Sequence, residues 1–197
     1  MISYPARPTN GGPPHLRRPI PGKWIAQPKY NGWRALVHIP EDGSDPVVWN
    51  RHGELLSIAD KFTEALATAK QRFAPGSWLD CEALERRGTV RGTLVVFDVF
   101  TENTAELELK FRLDDLHTPD LYLPWWHVPE SAKLYVAAHI AMDLVDHACE
   151  HWKQINETIG ETAFEGVVCK RLDSTYPVQT ISAARKFPYW IKHRFDQ

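Results

Sequence analysis

Pro28-Lys29-Tyr30-Asn31-Gly32-Trp33-Arg34 sets a lysine ahead of a glycine turn and an arginine five residues beyond it. A lysine at pH 7 carries a proton and attacks nothing. Nearby cations and partial desolvation lower its pKa and expose the amine lone pair, and Arg34 is placed to serve that end. Taken alone, the cluster reads as a solvated turn lysine, because short motifs recur by chance. The chain on either side has to decide.

Downstream, Ala35-Leu36-Val37-His38-Ile39 is β-prone, Glu41–Asp45 is a turn, and Pro46–Asn50 is the returning strand. Asp60–Phe73 carries helical spacing through Phe62, Leu66, Ala69 and Phe73, with Asp60 as the expected cap. Trp78–Leu84 and Thr93–Phe100 read as strands, and Leu94-Val95-Val96-Phe97 is apolar throughout, as in a buried strand. Pro129–Thr158 has three- and four-residue apolar spacing, which predicts one long helix or two, ended by Gly160. Phe164–Lys170 and Tyr189–Arg194 are the last strands. Upstream, Pro5, Pro8, Pro13, Pro14, Pro19 and Pro21 make the first 22 residues an extended arm, since proline fits neither a helix interior nor a central strand. Strands with helices between some of them predict an α+β domain on antiparallel sheets.

Composition narrows the classes. In 197 residues, 43% apolar and 24% charged is the range of globular chains, not of disordered or collagenous ones. No apolar run approaches the roughly 18–20 residues that span a bilayer, so no membrane partner is expected. Three widely spaced cysteines argue against a disulfide framework and for a reducing compartment. The net charge of −2 hides an uneven distribution. Residues 1–40 hold six Lys or Arg and no acid; residues 41–164 hold eleven basic and twenty-two acidic; residues 165–197 hold six and three. Two basic ends flank an acidic middle, so the net charge does not exclude a polyanion partner.

Three more clusters share the character of the first. In Leu79-Asp80-Cys81-Glu82-Ala83-Leu84, alternation puts Asp80 and Glu82 on one strand face, a pairing suited to a divalent metal or a ribose. In Phe164-Glu165-Gly166-Val167-Val168-Cys169-Lys170 a carboxylate opens a strand and a lysine closes it. In Trp190-Ile191-Lys192-His193-Arg194, Lys192 and Arg194 point to one face, where the two cations repel unless an anion such as a triphosphate lies between them.

The order and character of these clusters resemble the nucleotidyltransferase domain of ATP-dependent polynucleotide ligases, most closely DNA ligases. The resemblance runs from about Trp24 to Arg194. Lys29–Arg34 is similar to that family's lysine-x-aspartate-glycine-x-arginine motif, Asn50-Arg51-His52-Gly53 to its arginine before a glycine turn, and Asp80-Cys81-Glu82 to its third motif. Val96-Phe97-Asp98 is similar to its phenylalanine-aspartate strand, Glu165–Lys170 to its fourth motif, and Trp190–Arg194 to its fifth. Ser174-Thr175-Tyr176 sits where such ligases often place a similar tripeptide.

The resemblance implies an α+β, ATP-grasp-like nucleotidyltransferase domain over residues 23–197, with antiparallel sheets flanked by helices, after an arm at 1–22. It implies Lys29 as the nucleophile that takes AMP from ATP and passes it to a 5′-phosphate at a nick. Lys170 and Lys192 are expected at the α-phosphate. Arg34 and Glu82 are expected at the ribose, with Phe97 stacked on adenine and Gln27 reading its edge. Glu165, with Glu82, is expected to hold Mg²⁺, or Mn²⁺ in its place. Arg51, Lys186 (with Arg185 its close rival) and Arg194 are expected at phosphates or nucleic acid. Nicked double-stranded DNA is the implied partner, and a prokaryotic or viral protein acting in cytoplasm the implied setting.

Two departures stand out. The motif aspartate is Asn31 here, which cannot supply charge to a metal shell: either adenylation is slower or that aspartate matters less than the motif suggests. The chain stops three residues after Arg194, without the OB-fold domain that usually follows. That leaves a shortened piece, a minimal enzyme or an OB-fold partner in trans. The rival readings are an RNA ligase, a capping-type nucleotidyltransferase, and a nucleotide- or DNA-binding module with impaired catalysis. An NAD-dependent ligase is disfavoured, since the arm is too short for its extra domain. His147-Ala148-Cys149-Glu150-His151 spells a zinc-peptidase pattern without an evident third ligand.

Overall fold

The computed structural model describes residues 7–17, 21–116, 118–177 and 186–195. Pro5, Pro19 and Arg185, singled out above, lie outside them. In chain order the elements are β1 (Arg7–Asn10), β2 (Trp24–Tyr30), β3 (Trp33–His38), β4 (Val47–Asn50), α1 (Thr63–Arg72), β5 (Trp78–Leu84), β6 (Thr93–Phe100), α2 (Leu109–Asp115), β7 (Tyr122–Leu123), β8 (Leu134–Ala137), β9 (Ile140–Ala141), α3 (Val145–Ile159), β10 (Phe164–Arg171) and β11 (Lys186–Arg194). Two mainly antiparallel sheets result: β1-β11-β10-β2-β9 and β4-β3-β5-β6-β8-β7. No helix among the described residues is long and apolar enough to cross a membrane.

Each sheet carries a helix on its outer face. Phe62, Ala65, Ala69 and Phe73, along and beside α1, pack on Val37, Leu79, Cys81 and Val96 of the second sheet. Val145, Ala148, Cys149 and Trp152 of α3 pack on Ala26, Val167 and Cys169 of the first, and Trp152 stacks on Phe164 at 5.5 Å. Alternation then turns the other residues of the same strands toward the space between the sheets. Leu36, Trp78, Phe100, Tyr176 and Trp190 close the base of that space as a third apolar cluster.

The strands Trp78–Leu84 and Thr93–Phe100 fall where the sequence places them. Other expectations need correction. The helix expected over Pro129–Thr158 begins only at Val145, because Leu134–Ala137 and Ile140–Ala141 are strands. Leu134-Tyr135-Val136 pairs in parallel with Leu94-Val95-Val96. A strand covered on both faces shows the same apolar density as a helix stripe, and a pairing partner remote in sequence decided between them. Asp60 does not cap α1: a 3₁₀ turn over Ala59–Phe62 leads into the helix, with no side-chain cap. Gly160 ends α3 as expected, taking the left-handed conformation at φ 69°. The proline arm is extended at Arg7–Asn10, which joins β11 as a parallel edge strand, a place a sheet tolerates Pro8.

Candidate active site

A cavity of about 410 Å³ opens between the two sheets. Its first wall is set by register. β10 pairs with β2 so that Val168 faces Gln27 and Gly166 faces Lys29; β10 pairs with β11 so that Lys170 faces Trp190, Val168 faces Lys192, and Gly166 faces Arg194. Cross-strand partners share a face, so Gln27, Lys29, Lys170, Trp190, Lys192 and Arg194 all turn to the cavity. Gly166 permits this close approach. Its φ is +148°, and a Cβ there would meet the His193 carbonyl oxygen at 1.9 Å.

The second wall comes from β3, β5 and β6. Asn31-Gly32 carries the chain from one sheet to the other in two residues. Lys29 and Arg34, five apart in sequence, therefore stand on facing walls of one cavity. Asn31 Nδ2 donates to the Thr162 carbonyl at 2.9 Å, so this amide is tied to backbone. Gly32 N–H donates to Glu82 Oε1 at 3.0 Å, and a Cβ on Gly32 would meet Glu82 Cγ at 2.8 Å. The turn glycine thus holds the carboxylate it contacts.

The charged groups form two connected sets. Lys29 Nζ donates to Glu165 Oε2, and Arg194 Nη2 and Arg87 Nη1 lie 3.4 and 3.7 Å from the same carboxylate. Burial, then the nearby Arg194 and Lys29 cations, pushes the Lys192 ammonium below its ordinary pKa. Burial likewise holds the Glu82 carboxyl above the usual range, against the pull of Lys29 and Arg34. In the second set Arg34 grips Asp80 with both arms of its fork, and Tyr176 donates to Asp80 Oδ2 at 2.8 Å. The Arg34 guanidinium lies 4.8 Å from the Phe97 ring centroid. Behind it, Arg112 and Asp98 are bidentate and fully buried.

Lys170 lies deepest. Its Nζ donates to the Phe97 carbonyl at 3.1 Å and sits 3.8 Å from the Trp190 ring and 4.7 Å from that of Phe97. Burial drives its pKa down to about 7, partly opposed by Asp98 and Asp80. The folded chain therefore holds fewer protons than the unfolded chain between pH 7 and the ordinary lysine value of 10.5. Lys170 by itself then adds stability as pH rises across that window, by up to about 1.4 kcal/mol per pH unit. Burial raises the pKa of Cys81, Cys149, Cys169 and Tyr30, which opposes this slope once their unfolded forms titrate. Urea unfolding from pH 7 to about 8 should therefore show the rise in the wild type and lose it in Lys170→Met. Equal slopes in both would discount the buried ammonium.

Gln27, also buried, donates from Nε2 to the same Phe97 carbonyl at 3.1 Å, and its Oε1 has no hydrogen-bond partner among the described residues. A buried acceptor left open on a cavity wall suits a ligand donor. Arg51 sits on the exposed turn after β4, at the mouth, and donates from Nε to His52 Nε2 at 3.0 Å. Lys186 does not join the cavity; it is exposed at the start of β11, in register with Arg7.

Glu82 and Glu165 are hard oxygen donors close enough to sense each other's charge. Magnesium usually takes one or two carboxylates and completes its shell with substrate phosphate and water, so this donor set fits it. No cluster of three His, Cys, Asp or Glu suited to a metal occurs among the described residues. His147 and His151 instead pack edge-on against Trp125, at 5.7 and 5.4 Å. Sequence reasoning passed over Arg87 and the Asp98–Arg112 pair. Arg87 carries no signal, because its loop has no motif, and nothing in the sequence around Arg112 marks it for burial.

No family model matches the chain, and no curated protein matches it. Solved structures do. A mycobacterial DNA ligase D complexed with ATP superposes with TM-score 0.62 at 18% identity, over 97% of this chain and 60% of that one. The ligase domain of M. tuberculosis LigD gives 0.63 at 18%, over 97% and 59%. Chlorella virus DNA ligase-adenylate gives 0.53 at 13%, over 98% and 69%. An archaeal ATP-dependent RNA ligase gives 0.50 at 18%, over 98% and 48%. The chain spans about 60% of the length of the mycobacterial ligase structures it matches. Its fold is that of the ligase nucleotidyltransferase domain, as the sequence predicts.

Proposed function

We propose, from that shared fold, that this chain is the adenylating domain of an ATP-dependent polynucleotide ligase that seals nicks in DNA. One observation carries the reading. Lys29 is held by Glu165 in a cavity whose walls also bring Gln27, Glu82, Phe97, Lys170 and Lys192 together.

The residue types suit phosphoryl transfer, which depends on positioning and charge neutralisation. Gln27 and Phe97 would seat the adenine, by hydrogen bonding and by stacking. Glu82 and Arg34 would face the ribose, the latter fixed by Asp80. Lys170 and Lys192 would meet the α-phosphate. A bound phosphate would favour the protonated form of Lys170, which then supplies its charge where negative charge grows in the transition state. Lys29 must first part from Glu165 and lose its proton to solvent. Its Nζ then bonds to the α-phosphorus, while the bond from that phosphorus to the bridging oxygen breaks and pyrophosphate leaves. A 5′-phosphate oxygen next displaces Lys29 from the AMP, and a 3′-hydroxyl displaces AMP to join the strand. Glu165 and Glu82 would hold Mg²⁺, whose charge neutralises phosphate oxygens when bound. Arg51 and Arg194, at the mouth, would meet the nucleic acid, with Lys186 further along β11. An OB-fold domain would complete the grip on the duplex.

Incubation with Mg²⁺ and α-labelled ATP, then a denaturing gel, tests the chemistry. A labelled band is expected from ATP, and none from GTP or NAD. Absence of label from every nucleotide overturns the reading. The likeness to an archaeal RNA ligase favours a second reading in which RNA is sealed. The labelled protein, given nicked DNA and nicked RNA side by side, should pass AMP faster to DNA; a preference for RNA selects the second reading. If phosphate contacts dominate the binding, it should also weaken steeply with salt.

A further inference from the structure

We propose that Arg87 is a phosphate-binding residue of this cleft, carried on the loop between β5 and β6 to hold the triphosphate tail of the nucleotide. The inference rests on the ligase reading above and adds a residue to it.

Arg87 lines the cavity, and its side chain is 47% exposed there. Its Nη1 lies 3.7 Å from Glu165 Oε1 and 3.5 Å from Asn31 Oδ1. Glu165 is already the partner of Lys29, and Arg194 Nη2 is 3.4 Å away. Glu165 and Glu82 set two carboxylates against Lys29, Arg87, Arg194 and Lys192, which still leaves positive charge over. Surplus cations converging on a concave site are the arrangement that draws a polyanion. Asn31 sharpens this. An aspartate there would give Arg87 a second carboxylate, whereas the neutral amide gives only a long hydrogen bond.

The loop is held in place. Glu161, just beyond α3, accepts from Thr89 N–H and from Thr89 Oγ1, both at 2.9 Å. Gly88 packs against that carboxylate, where a Cβ would stand 3.1 Å from Glu161 Oε1. Glu85 accepts from Gly92 N–H at 2.8 Å and closes the loop's other end. The backbone is thus fixed while the guanidinium reaches the mouth. Arg87 arrives from the second sheet, and Lys192 and Arg194 from the first, so a phosphate at the mouth meets donors from both walls. A planar fork suits that task better than an ammonium, because it can hold two phosphate oxygens at once.

The 5′-phosphate of a nick offers the same chemistry, and the experiment separates the two. The full chain and its Arg87→Ala and Arg87→Lys variants are titrated with ATP, inorganic tripolyphosphate and AMP by calorimetry. Covalent labelling of the wild type by ATP, run alongside, tests the ligase reading separately; the titrations read Arg87 whichever way that falls. Arg87→Ala should weaken ATP and tripolyphosphate about tenfold and leave AMP unchanged, as for one lost charge-assisted contact. Arg87→Lys should recover part of the loss. If ATP binding holds while AMP transfer to a 5′-phosphorylated nick drops, the phosphate gripped is that of the nucleic acid, and Arg87 remains its ligand. Unchanged binding and transfer, or ATP and AMP weakened together as for a disturbed loop, overturns the proposal.

Discussion

Lys29→Ala is expected to reduce covalent labelling by ATP to background, since no other lysine stands where this one does. Lys170 is buried, with its Nζ held by the Phe97 carbonyl between two rings, and Lys192 stands on the neighbouring strand at the far side of Val168. Neither can take over an in-line attack without moving its strand. A required nucleophile is lost outright, so the drop should exceed about a thousandfold. Noncovalent ATP binding should survive, because Gln27, Phe97 and Lys170 are untouched, and equilibrium binding measured beside the gel separates lost chemistry from a lost fold. Lys29→Arg should fail equally: a guanidinium does not deprotonate near neutral pH. Persistent label in Lys29→Ala would move the nucleophile elsewhere.

The second large effect concerns stability. Arg112 donates from Nε and Nη2 to the two Asp98 oxygens, each at 3.0 Å, and from Nη1 to the Ser174 carbonyl at 3.2 Å. Both side chains are wholly buried. Arg112→Met strands the Asp98 charge in the interior, which should cost about 3–5 kcal/mol. Urea unfolding at neutral pH measures it. The double variant Asp98→Leu with Arg112→Met should recover most of the loss, since matched apolar groups replace the pair with little penalty. A single variant within about 1 kcal/mol of wild type would show that Asp98 finds another partner or leaves the interior. Asp98 directly follows Phe97 on β6, and its charge reaches Lys170. The pair therefore fixes the strand whose carbonyl receives both Lys170 and Gln27.

Much of this was legible in the chain. Where a strand has one face on a helix and no bulge, period-2 alternation assigns each residue to core or cavity without further knowledge; β6 departs from it at a register shift, where Val96 and Val99, three apart, both reach the core. That is how Asp80 and Glu82, or Lys192 and Arg194, could be placed side by side. The regions misjudged are those where two periods fit one composition. Leu134–Ala137 satisfies helical spacing and strand burial equally, and β6 settled the matter by offering hydrogen bonds. Arg112 gave no warning because a lone arginine near acids is the commonest kind of surface residue. Only the fold removes it from water.

The sequence by itself determined which side chains share a strand face, and that Lys29 and Arg34 flank a turn. Those are local facts, fixed by backbone geometry over a few residues. Tertiary structure alone decided that the turn crosses between two sheets, so that Lys29 meets Glu165 and Arg34 meets Asp80. It alone gathered Lys29 and Arg34 from the basic N-terminal stretch and Lys170, Lys192 and Arg194 from the C-terminal one around one cavity, and set Arg87 beside them. Charges distant along the chain interact only when folding brings them within a few ångströms, and strand register, which no short stretch encodes, sets that distance.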